Sequence, residues 1–373
     1  MKNSKLSTQV QVYLAVGLLI LSSRLETRAA PAAPRPAAPP AATQAFLADL
    51  AAQAAAAEKD YRTAVKGQDG WLFFDQELRS LGAGRFWGDA AARVSRASNP
   101  LYADPLPAIL DFKKQLDAAH IELLFVPVPP KAVIYPEMIS PTVVLASGAT
   151  SSRLDFHHQE FYQLLRRNGI KVLDLAPVFL RHRNDPAGHL YCRQDTHWSG
   201  RACAVTARLI AHEIANRPWL KAVPKRKFEA EERSFEITGD LWEALGDDTL
   251  AKEKLPLTFV RERTARGLVP AGSWRQSPIV LLGDSHNLIF HAGEDMQTAN
   301  AGLPDQLARE LGFPVDVVAV RGSGATPARE NLMRRRDNLA GKRLVIWCFS
   351  AREFTESQSW RKIPVIRQQK AAR

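Results

Sequence analysis

Short apolar runs alternate with amphipathic segments along most of this chain, and that alternation limits the fold more than any other feature. The runs are rich in β-branched and aliphatic residues and too short for helices, which indicates buried strands. The predicted strands are 71–74, 121–128, 172–175, 279–282, 315–320 and 343–349, and the predicted helices are 107–119, 156–167, 200–215, one beginning after Ser285, and 327–338. We therefore expect an α/β fold with a mostly parallel sheet flanked by helices on both faces.

Segment 224–278 fits this alternation poorly, because its charged stretches are punctuated by prolines. It is interpreted as an insertion or an irregular loop that borders a cleft. The whole chain is 46% hydrophobic and 24% charged, the ordinary balance of a globular protein.

The N-terminus has the pattern of an export signal. Lys2 and Lys5 precede the uncharged stretch 6–23, whose apolar core is 12–21. A spanning helix needs roughly 18 to 20 apolar residues, so residues 1–28 predict either a cleaved signal peptide or an uncleaved signal anchor. Both alternatives place the folded part in the periplasm, and the second would anchor it to the inner membrane.

The remaining chain divides by composition. Residues 29–60 are predicted to form an Ala/Pro-rich linker and a leading helix, since proline fixes φ and favours extended chain. Residues 61–362 are predicted to be the globular domain and 363–373 a basic tail.

The formal net charge of +11 favours a polyanionic partner such as nucleic acid, anionic lipid or acidic polysaccharide. The export signal and the absence of a recognised reading motif argue against nucleic acid. Cysteine is used sparingly, and Cys192 with Cys203 is a candidate disulfide that would leave Cys348 unpaired. No spacing typical of a zinc site occurs, and neither a metal nor a cofactor is expected.

A serine follows the apolar run 279–282, in the turn Gly283-Asp284-Ser285. The carboxyl ends of parallel strands are where α/β sheets place ligands, and N–H groups at a helix N-terminus can stabilise an oxyanion. Ser285 is therefore a candidate nucleophile. The alternative is that Ser285 caps a helix and Asp284 forms the turn.

A second motif supplies the partners that a serine nucleophile needs. A hydroxyl is a weak nucleophile until an imidazole takes its proton and a carboxylate fixes the imidazole tautomer. Asp195 and His197 stand two apart, so in an extended segment both would point to one side. The carboxylate could then reach Nδ1 while Nε2 faces the serine. A structural histidine and a metal-binding Asp/His pair are the alternatives.

Together, Gly-Asp-Ser after a strand and the earlier Asp195-Thr196-His197-Trp198 resemble the alginate O-acetyltransferase branch of the SGNH hydrolase superfamily. Further segments agree with that branch in order, namely 67–73, 86–88, 126–137, 239–241 and 345–353. The resemblance spans roughly residues 66–355. The resemblance implies an SGNH-hydrolase-like domain.

The resemblance implies a triad of Ser285, His197 and Asp195, with the Asp-x-His pair before the serine. The implied activity is transfer of an acetyl group through a serine ester to hydroxyls of an exported polysaccharide, alginate-like or cellulose-like. A membrane-bound O-acyltransferase would supply the acetyl group, and the chain would work within a polysaccharide synthesis and export complex. The same triad would also serve an acetylesterase, and a non-catalytic scaffold of the export complex is a third alternative.

The resemblance also suggests contacts beyond the triad. The Ser285 N–H and donors from Asn287, Gly322 and Gly324 are candidates for holding the oxyanion, and Arg321 for supporting it or binding sugar. Aromatic faces stack on pyranose rings, which makes Tyr135 and Trp198, with Lys131 and Trp87, candidate sugar contacts. His286 and Asn287 depart from the residues usual after the serine, so no acceptor contact is assigned there.

Overall fold

The computed structural model describes residues 38–141, 143 and 153–367. The predicted signal or anchor 1–28 and most of the predicted linker lie outside these residues. The strands are β1 Ala64–Lys66, β2 Leu72–Phe74, β3 Glu122–Val128, β4 Lys171–Val172, β5 Phe228–Glu236, β6 Lys254–Thr264, β7 Gly267–Pro270, β8 Ile279–Gly283, β9 Asp316–Ala319 and β10 Leu344–Ser350. Within the described part of the chain, no helix has the length and apolar character needed to cross a bilayer.

Helices surround the strands. In chain order they are α1 Ala41–Lys59, α2 Asp75–Gly82, α3 Ala91–Val94, α4 Pro105–Ala118, α5 Lys131–Ile134, α6 Phe156–Arg167, α7 Ala176–His182, α8 Gly200–Ile214, α9 Asp240–Leu245, α10 Leu303–Leu311, α11 Thr326–Arg334 and α12 Glu353–Glu356.

The central sheet has five parallel strands in the order β4-β3-β10-β8-β9. Side chains alternate between its faces, as the two-residue period of a strand requires. In β10, Leu344, Ile346 and Cys348 join one apolar core, while Val345, Trp347 and Phe349 join the other. Both faces are buried, which explains the continuous apolar runs and confirms the predicted α/β fold with a mostly parallel sheet.

Three of the predicted elements differ from the structure. The predicted first strand is β2, which pairs antiparallel with β1 and lies outside the central sheet. The predicted strand 172–175 is shorter in the structure, where β4 spans Lys171–Val172, the Leu173 N–H makes one more bond to β3, and α7 begins at Ala176.

The helix expected after Ser285 is a single 3₁₀ turn, Ser285–Asn287, and the chain turns away at Phe290, whose φ is +59°.

Segment 224–278 is ordered, contrary to one of the two interpretations of its sequence. It contains α9 and an antiparallel sheet in the order β5-β6-β7. The pattern was hard to recognise because most side chains of β5 are exposed, so no apolar alternation marks the strand. The sheet packs on α8, where Leu257 of β6 lies so close to Gly200 that a β-carbon there would be 2.5 Å from it.

The packed region extends past the predicted boundaries at 61 and 362. Phe46 and Leu50 of α1 are buried in one core, and Ile363 and Val365 are buried in the other. The leading helix and the first residues of the predicted tail therefore belong to the domain.

The candidate disulfide is absent: Cys192, Cys203 and Cys348 are all free, buried thiols.

Candidate active site

The turn Gly283-Asp284-Ser285, here called the nucleophile turn, follows β8 at the carboxyl edge of the central sheet. Gly283 allows this turn, since a β-carbon there would stand 1.6 Å from the Cys348 carbonyl oxygen of β10. The Asp284 carboxylate accepts hydrogen bonds from the His286 N–H (3.0 Å) and, across the sheet edge, from the Ser350 N–H (2.7 Å). Asp284 thus forms the turn and ties it to β10, leaving Ser285 at the end of the strand.

The motif Asp195-Thr196-His197-Trp198 lies on a closed loop and not on the extended segment that its spacing suggested. Tyr191 and Trp198 form an antiparallel bridge, and the Cys192 N–H donates to the His197 carbonyl (3.2 Å). The Trp198 indole N–H donates to the His286 carbonyl (2.9 Å), which joins the loop to the nucleophile turn. The loop is therefore fixed against the turn although 88 residues separate His197 from Ser285.

The structure brings the three predicted triad residues into one hydrogen-bonded chain. His197 Nε2 lies 2.7 Å from Ser285 Oγ, and His197 Nδ1 lies 2.6 Å from Asp195 Oδ1. All three are buried, with Ser285 6% exposed. A carboxylate on Nδ1 makes Nε2 the acceptor, so the imidazole is arranged to take the serine proton.

Asp195 and His197 shift each other's pKa. Burial opposes ionisation of Asp195, but the His197 charge and hydrogen bonds outweigh it and hold the Asp195 pKa at about 2. Burial likewise opposes charging of His197, yet Asp195 and Asp240 raise the pKa of His197 above its ordinary value. The carboxylate stays ionised across the physiological range and can stabilise an imidazolium as it forms.

Further residues hold Asp195. Its Oδ2 accepts hydrogen bonds from the Asp240 N–H (3.2 Å) and from Gln297 Nε2 (3.3 Å). The buried Lys131 ammonium donates to the Asp195 carbonyl (2.6 Å) and to the Leu72 carbonyl (2.8 Å). Both the side chain and the backbone of Asp195 are thus fixed, which orients the imidazole.

Ser285 opens into a cavity of about 260 Å³, here called the serine cavity. Its lining combines the triad histidine, apolar walls and two arginines. The lining residues are Thr63, Phe74, Thr196, His197, Asp240, Leu241, Ser285, Met296, Arg321, Gly322 and Arg352. A reacting acetyl group has room beside the serine hydroxyl.

The carboxylates around His197 also have the composition of a metal site. One ligand atom each from Asp195, His197 and Asp240 lie within 4.8 Å of one another. Both imidazole nitrogens are already engaged, however, with Asp195 and with Ser285. The hydrogen bonds therefore fit a proton-relay chain better than a set of metal ligands.

Several predicted contacts lie elsewhere. Asn287 is fully buried and its amide donates to the Cys348 carbonyl (2.7 Å), so it supports the turn instead of facing an oxyanion. Trp198 is fully buried and joins the loop to the turn. Tyr135 is buried, with its hydroxyl bonded to the Arg183 carbonyl and the Leu190 N–H. The predicted sugar contacts of Tyr135 and Trp198 and the predicted oxyanion contact of Asn287 were wrong, because the three side chains point into the core.

The other candidates divide between core and rim. Lys131 and Trp87 are buried and do not face the cavity. A β-carbon on Gly324 would lie 2.8 Å from the Asp284 N–H nitrogen, so Gly324 packs beneath the nucleophile turn. Gly322 and Arg321 line the serine cavity, and the exposed Arg321 pairs with Asp295 at its rim; their oxyanion and sugar contacts stay predictions.

Sequence reasoning missed Asp240 and Arg352. Asp240 begins α9 and accepts hydrogen bonds from the Thr196 N–H and hydroxyl, at 2.7 and 2.6 Å. Arg352 follows β10, stacks over Phe74 (5.2 Å) and lines the serine cavity. Both lie in segments on which the resemblance was based, 239–241 and 345–353, and the signal for Arg352 was its position just beyond a predicted central strand.

A parallel sheet with a serine at the carboxyl edge of one strand and an Asp-x-His loop beside it has the architecture of SGNH-hydrolase-like proteins. The comparison with protein families agrees. Residues 64–351 match the family described as "SGNH hydrolase-like domain, acetyltransferase AlgX", and the chain belongs to this family.

Curated relatives carry names from alginate biosynthesis. The chain is 28% identical over 297 residues to the "Probable alginate O-acetylase AlgJ" of Pseudomonas aeruginosa, covering 77% of this chain and 69% of that protein. It is 24% identical over 236 residues to the protein of the same name from Pseudomonas putida, covering 61% and 55%. The chain thus spans between about half and just over two thirds of the length of these relatives.

Solved structures support the fold. The O-acetyltransferase domain of Pseudomonas putida AlgJ matches with a TM-score of 0.56 at 21% identity, covering 79% of this chain and 92% of that one. Pseudomonas aeruginosa AlgX matches with a TM-score of 0.55 at 18% identity, covering 81% and 65%. At these identities the likeness establishes a common fold.

Proposed function

We propose that this protein is a serine-dependent O-acetyltransferase that carries an acetyl group on Ser285 and passes it to a hydroxyl of an exported polysaccharide. The observation that carries the proposal is the buried chain of Ser285 Oγ, His197 and Asp195, with contacts of 2.7 and 2.6 Å. That chain opens into a cavity of about 260 Å³. Membership of an acetyltransferase family supports the reaction class.

The first half-reaction forms the acetyl-enzyme. Ser285 Oγ attacks the carbonyl carbon of an acetyl donor while His197 Nε2 takes the hydroxyl proton. The tetrahedral intermediate collapses, the bond to the donor breaks, and the donor leaves with the proton returned by His197. Asp195 remains ionised throughout and stabilises the imidazolium.

The second half-reaction reverses the first with a sugar. A sugar hydroxyl attacks the acetyl carbonyl, His197 takes its proton, and the proton then passes to Ser285 Oγ as the ester bond breaks. Water in place of the sugar would give hydrolysis, so the balance between transfer and esterase activity depends on how well the acceptor excludes water.

Charge that develops on the carbonyl oxygen needs nearby donors. We assign the Ser285 and Gly322 N–H groups to this role, because both residues line the cavity. Arg352 adds a positive charge there. Its guanidinium is anchored at one end by a 3.2 Å hydrogen bond to Ser350 Oγ.

The sequence and the names of the relatives support a setting for this reaction. Export through segment 1–28 would place the domain in the periplasm, and the names of the relatives point to an alginate-like polymer as the acceptor. The acetyl group would come from a membrane-bound O-acyltransferase, and the domain would work beside the polysaccharide synthesis machinery.

The test supplies p-nitrophenyl acetate with and without an oligosaccharide acceptor. The wild-type domain should gain one acetyl mass on the peptide containing Ser285 and transfer it to the oligosaccharide, both read by mass spectrometry. Ser285→Ala and His197→Ala should abolish both signals. Ser234→Ala, at an exposed serine of β5, is the matched control and should keep them. Transfer that survives Ser285→Ala would refute the proposal.

A further inference from the structure

A second, larger cavity lies beside the serine cavity and has no role in the reaction described above. Its volume is about 390 Å³, within the usual range of ligand sites, and it is here called the Tyr61 cavity. Its lining is polar and comes from the end of α1 and the residues that follow it, from α2, from the segment after α3, and from α12 and the segment after it. The lining residues are Ala54, Glu58, Tyr61, Arg62, Thr63, Asp75, Gln76, Arg79, Arg96, Glu356 and Gln358.

The two cavities are neighbours along the same surface. Thr63 lines both of them. Phe74 lines the serine cavity and the next residue, Asp75, lines the Tyr61 cavity. Arg352 and Glu356, one helical turn apart, are divided between the two cavities in the same way. The Tyr61 cavity is therefore a neighbouring site on the surface to which a polymer bound at Ser285 would extend.

Tyr61 is exposed in a way that packing does not explain. It is 97% exposed, more than any other large apolar side chain among residues 38–141, 143 and 153–367. Its φ of +55° lies in the left-handed region, which is uncommon for a bulky residue. An aromatic ring held out at the mouth of a polar cavity is a platform for the apolar face of a sugar.

The platform is held firmly. The Tyr61 N–H donates to the Glu58 carbonyl (3.1 Å) and the Arg62 N–H to the Ala57 carbonyl (2.9 Å), which closes the end of α1. The helix itself is fixed by Phe46 and Leu50 in the core. The backbone at Tyr61 therefore loses little freedom when a ligand binds.

The Tyr61 cavity is lined by three arginines and three carboxylates, and two of the arginines can exchange their present partners for a ligand carboxylate. The side chains of Arg62 and Arg96 are 58% and 43% exposed, and they pair with Asp60 and Glu58, which are also about half exposed. Such exposed ion pairs contribute little, so a ligand carboxylate can replace the present partner at small cost. Arg79, by contrast, is fixed by two hydrogen bonds to Glu356 and forms the wall.

We propose that the Tyr61 cavity is a subsite for a uronate-containing glycan, in which Tyr61 stacks on a pyranose ring and Arg62 and Arg96 bind carboxylates. The subsite rests on the proposed function in one respect, since it holds the acceptor strand that extends from the sugar at Ser285. It would explain how a small serine cavity selects a polymer.

Binding is measured by calorimetry in a Ser285→Ala background, where no acetyl transfer occurs. The probes are a uronic acid hexasaccharide and a neutral hexasaccharide of β-linked glucose. Tyr61→Ala should weaken binding of the uronate hexasaccharide roughly threefold to tenfold, the scale of one aromatic contact. Tyr61→Phe, which keeps the aromatic ring, should bind the uronate hexasaccharide with the affinity of the protein that has Tyr61. Tyr102→Ala, which removes another exposed tyrosine, is the matched control.

The double variant Arg62→Gln/Arg96→Gln tests the charge preference. It should weaken the uronate hexasaccharide and flatten the dependence of its affinity on salt, and leave the neutral one unchanged. Equal binding of both probes to the Ser285→Ala protein, with no effect of the double variant, would overturn the uronate assignment.

The outcomes separate the two proposals. If Tyr61→Ala leaves the affinity for the uronate hexasaccharide within twofold, the subsite is refuted even where acetyl transfer through Ser285 is observed. If the affinity falls as expected but no acetyl group ever reaches Ser285 in the wild-type protein, the subsite stands and the proposed function fails.

Discussion

Replacing Asp195 by asparagine changes one carboxylate oxygen to an NH₂ group where every partner is a donor. Oδ1 accepts from the His197 N–H and from Nδ1, and Oδ2 accepts from the Asp240 N–H and Gln297 Nε2. An amide offers a single oxygen, so one of these pairs of donors must face another donor. If the amide oxygen takes the place of Oδ2, next to the Asp240 N–H and Gln297 Nε2, the NH₂ group points at His197 Nδ1. Nδ1 must then accept that hydrogen bond, which forces the opposite tautomer on His197.

The Asp195→Asn change should lower both the stability of the protein and the rate of acylation. The Asp195 pKa of about 2, against an ordinary 3.8, corresponds to about 2 kcal/mol in favour of the ionised carboxylate. We expect Asp195→Asn to lower the free energy of unfolding at pH 7 by that order. A wrong tautomer costs a serine–histidine–aspartate site roughly 10⁴ in rate, so acylation should fall by about that factor.

The assay is the burst of p-nitrophenol from p-nitrophenyl acetate, with urea unfolding measured on the same samples. Because the pKa is depressed in the folded state, the contribution of Asp195 to stability is present above pH 3.8 and is lost as the pH falls towards 2. The difference in stability between wild type and variant should therefore shrink over that interval.

Asp295→Asn makes the same chemical change at the rim of the serine cavity, where the side chain is 56% exposed, and serves as the control. It should leave the acylation rate and the unfolding free energy near their wild-type values. An Asp195→Asn protein that acylates within tenfold of wild type would refute the orienting role assigned to this carboxylate.

Two further predictions concern the surroundings of the triad. The acylation rate should rise with pH about a midpoint above the ordinary 6.5 of histidine: burial lowers the His197 pKa, but Asp195 and Asp240 outweigh it. Asp240→Asn should move that midpoint to lower pH, and a midpoint that does not move would contradict the assignment. Lys131→Met should lower the free energy of unfolding, measured in urea, by about 3 kcal/mol. The reason is that it leaves two buried carbonyls unpaired and removes one of the two cations, Arg352 and Lys131, that act on the buried Glu77. Adding Glu77→Gln should recover part of that loss, and purely additive effects of the two changes would show that the charges are not coupled.

The central sheet was predictable because its strands are buried on both faces. β8 and β10 are continuous apolar runs, as expected of parallel strands that are covered on both faces. β5 was not predictable, since Phe228–Glu236 carries charge on side chains that stay exposed. The helix predicted after Ser285 was not predictable in its extent for a different reason. The sequence offers helix formers there, but the chain turns at Phe290.

Residue type and spacing identified the groups that meet at the serine, though not the directions of their neighbours. Ser285, His197 and Asp195 carry complementary chemistry on two turns, and the fold places those turns side by side. Whether a flanking aromatic or amide faces solvent depends on tertiary packing. Trp198 was therefore predicted as a sugar contact and Asn287 as an oxyanion donor, and both are buried supports of the nucleophile turn.

The three free thiols lie on the segments that build this site. Cys192 is on the loop that carries the base, Cys203 is on the helix that follows, and Cys348 is on the strand beneath the nucleophile turn. Burial raises the pKa of each, so none reacts readily while its segment is closed. Alkylation of each thiol thus reports, without any introduced label, how often its part of the site opens in the native protein.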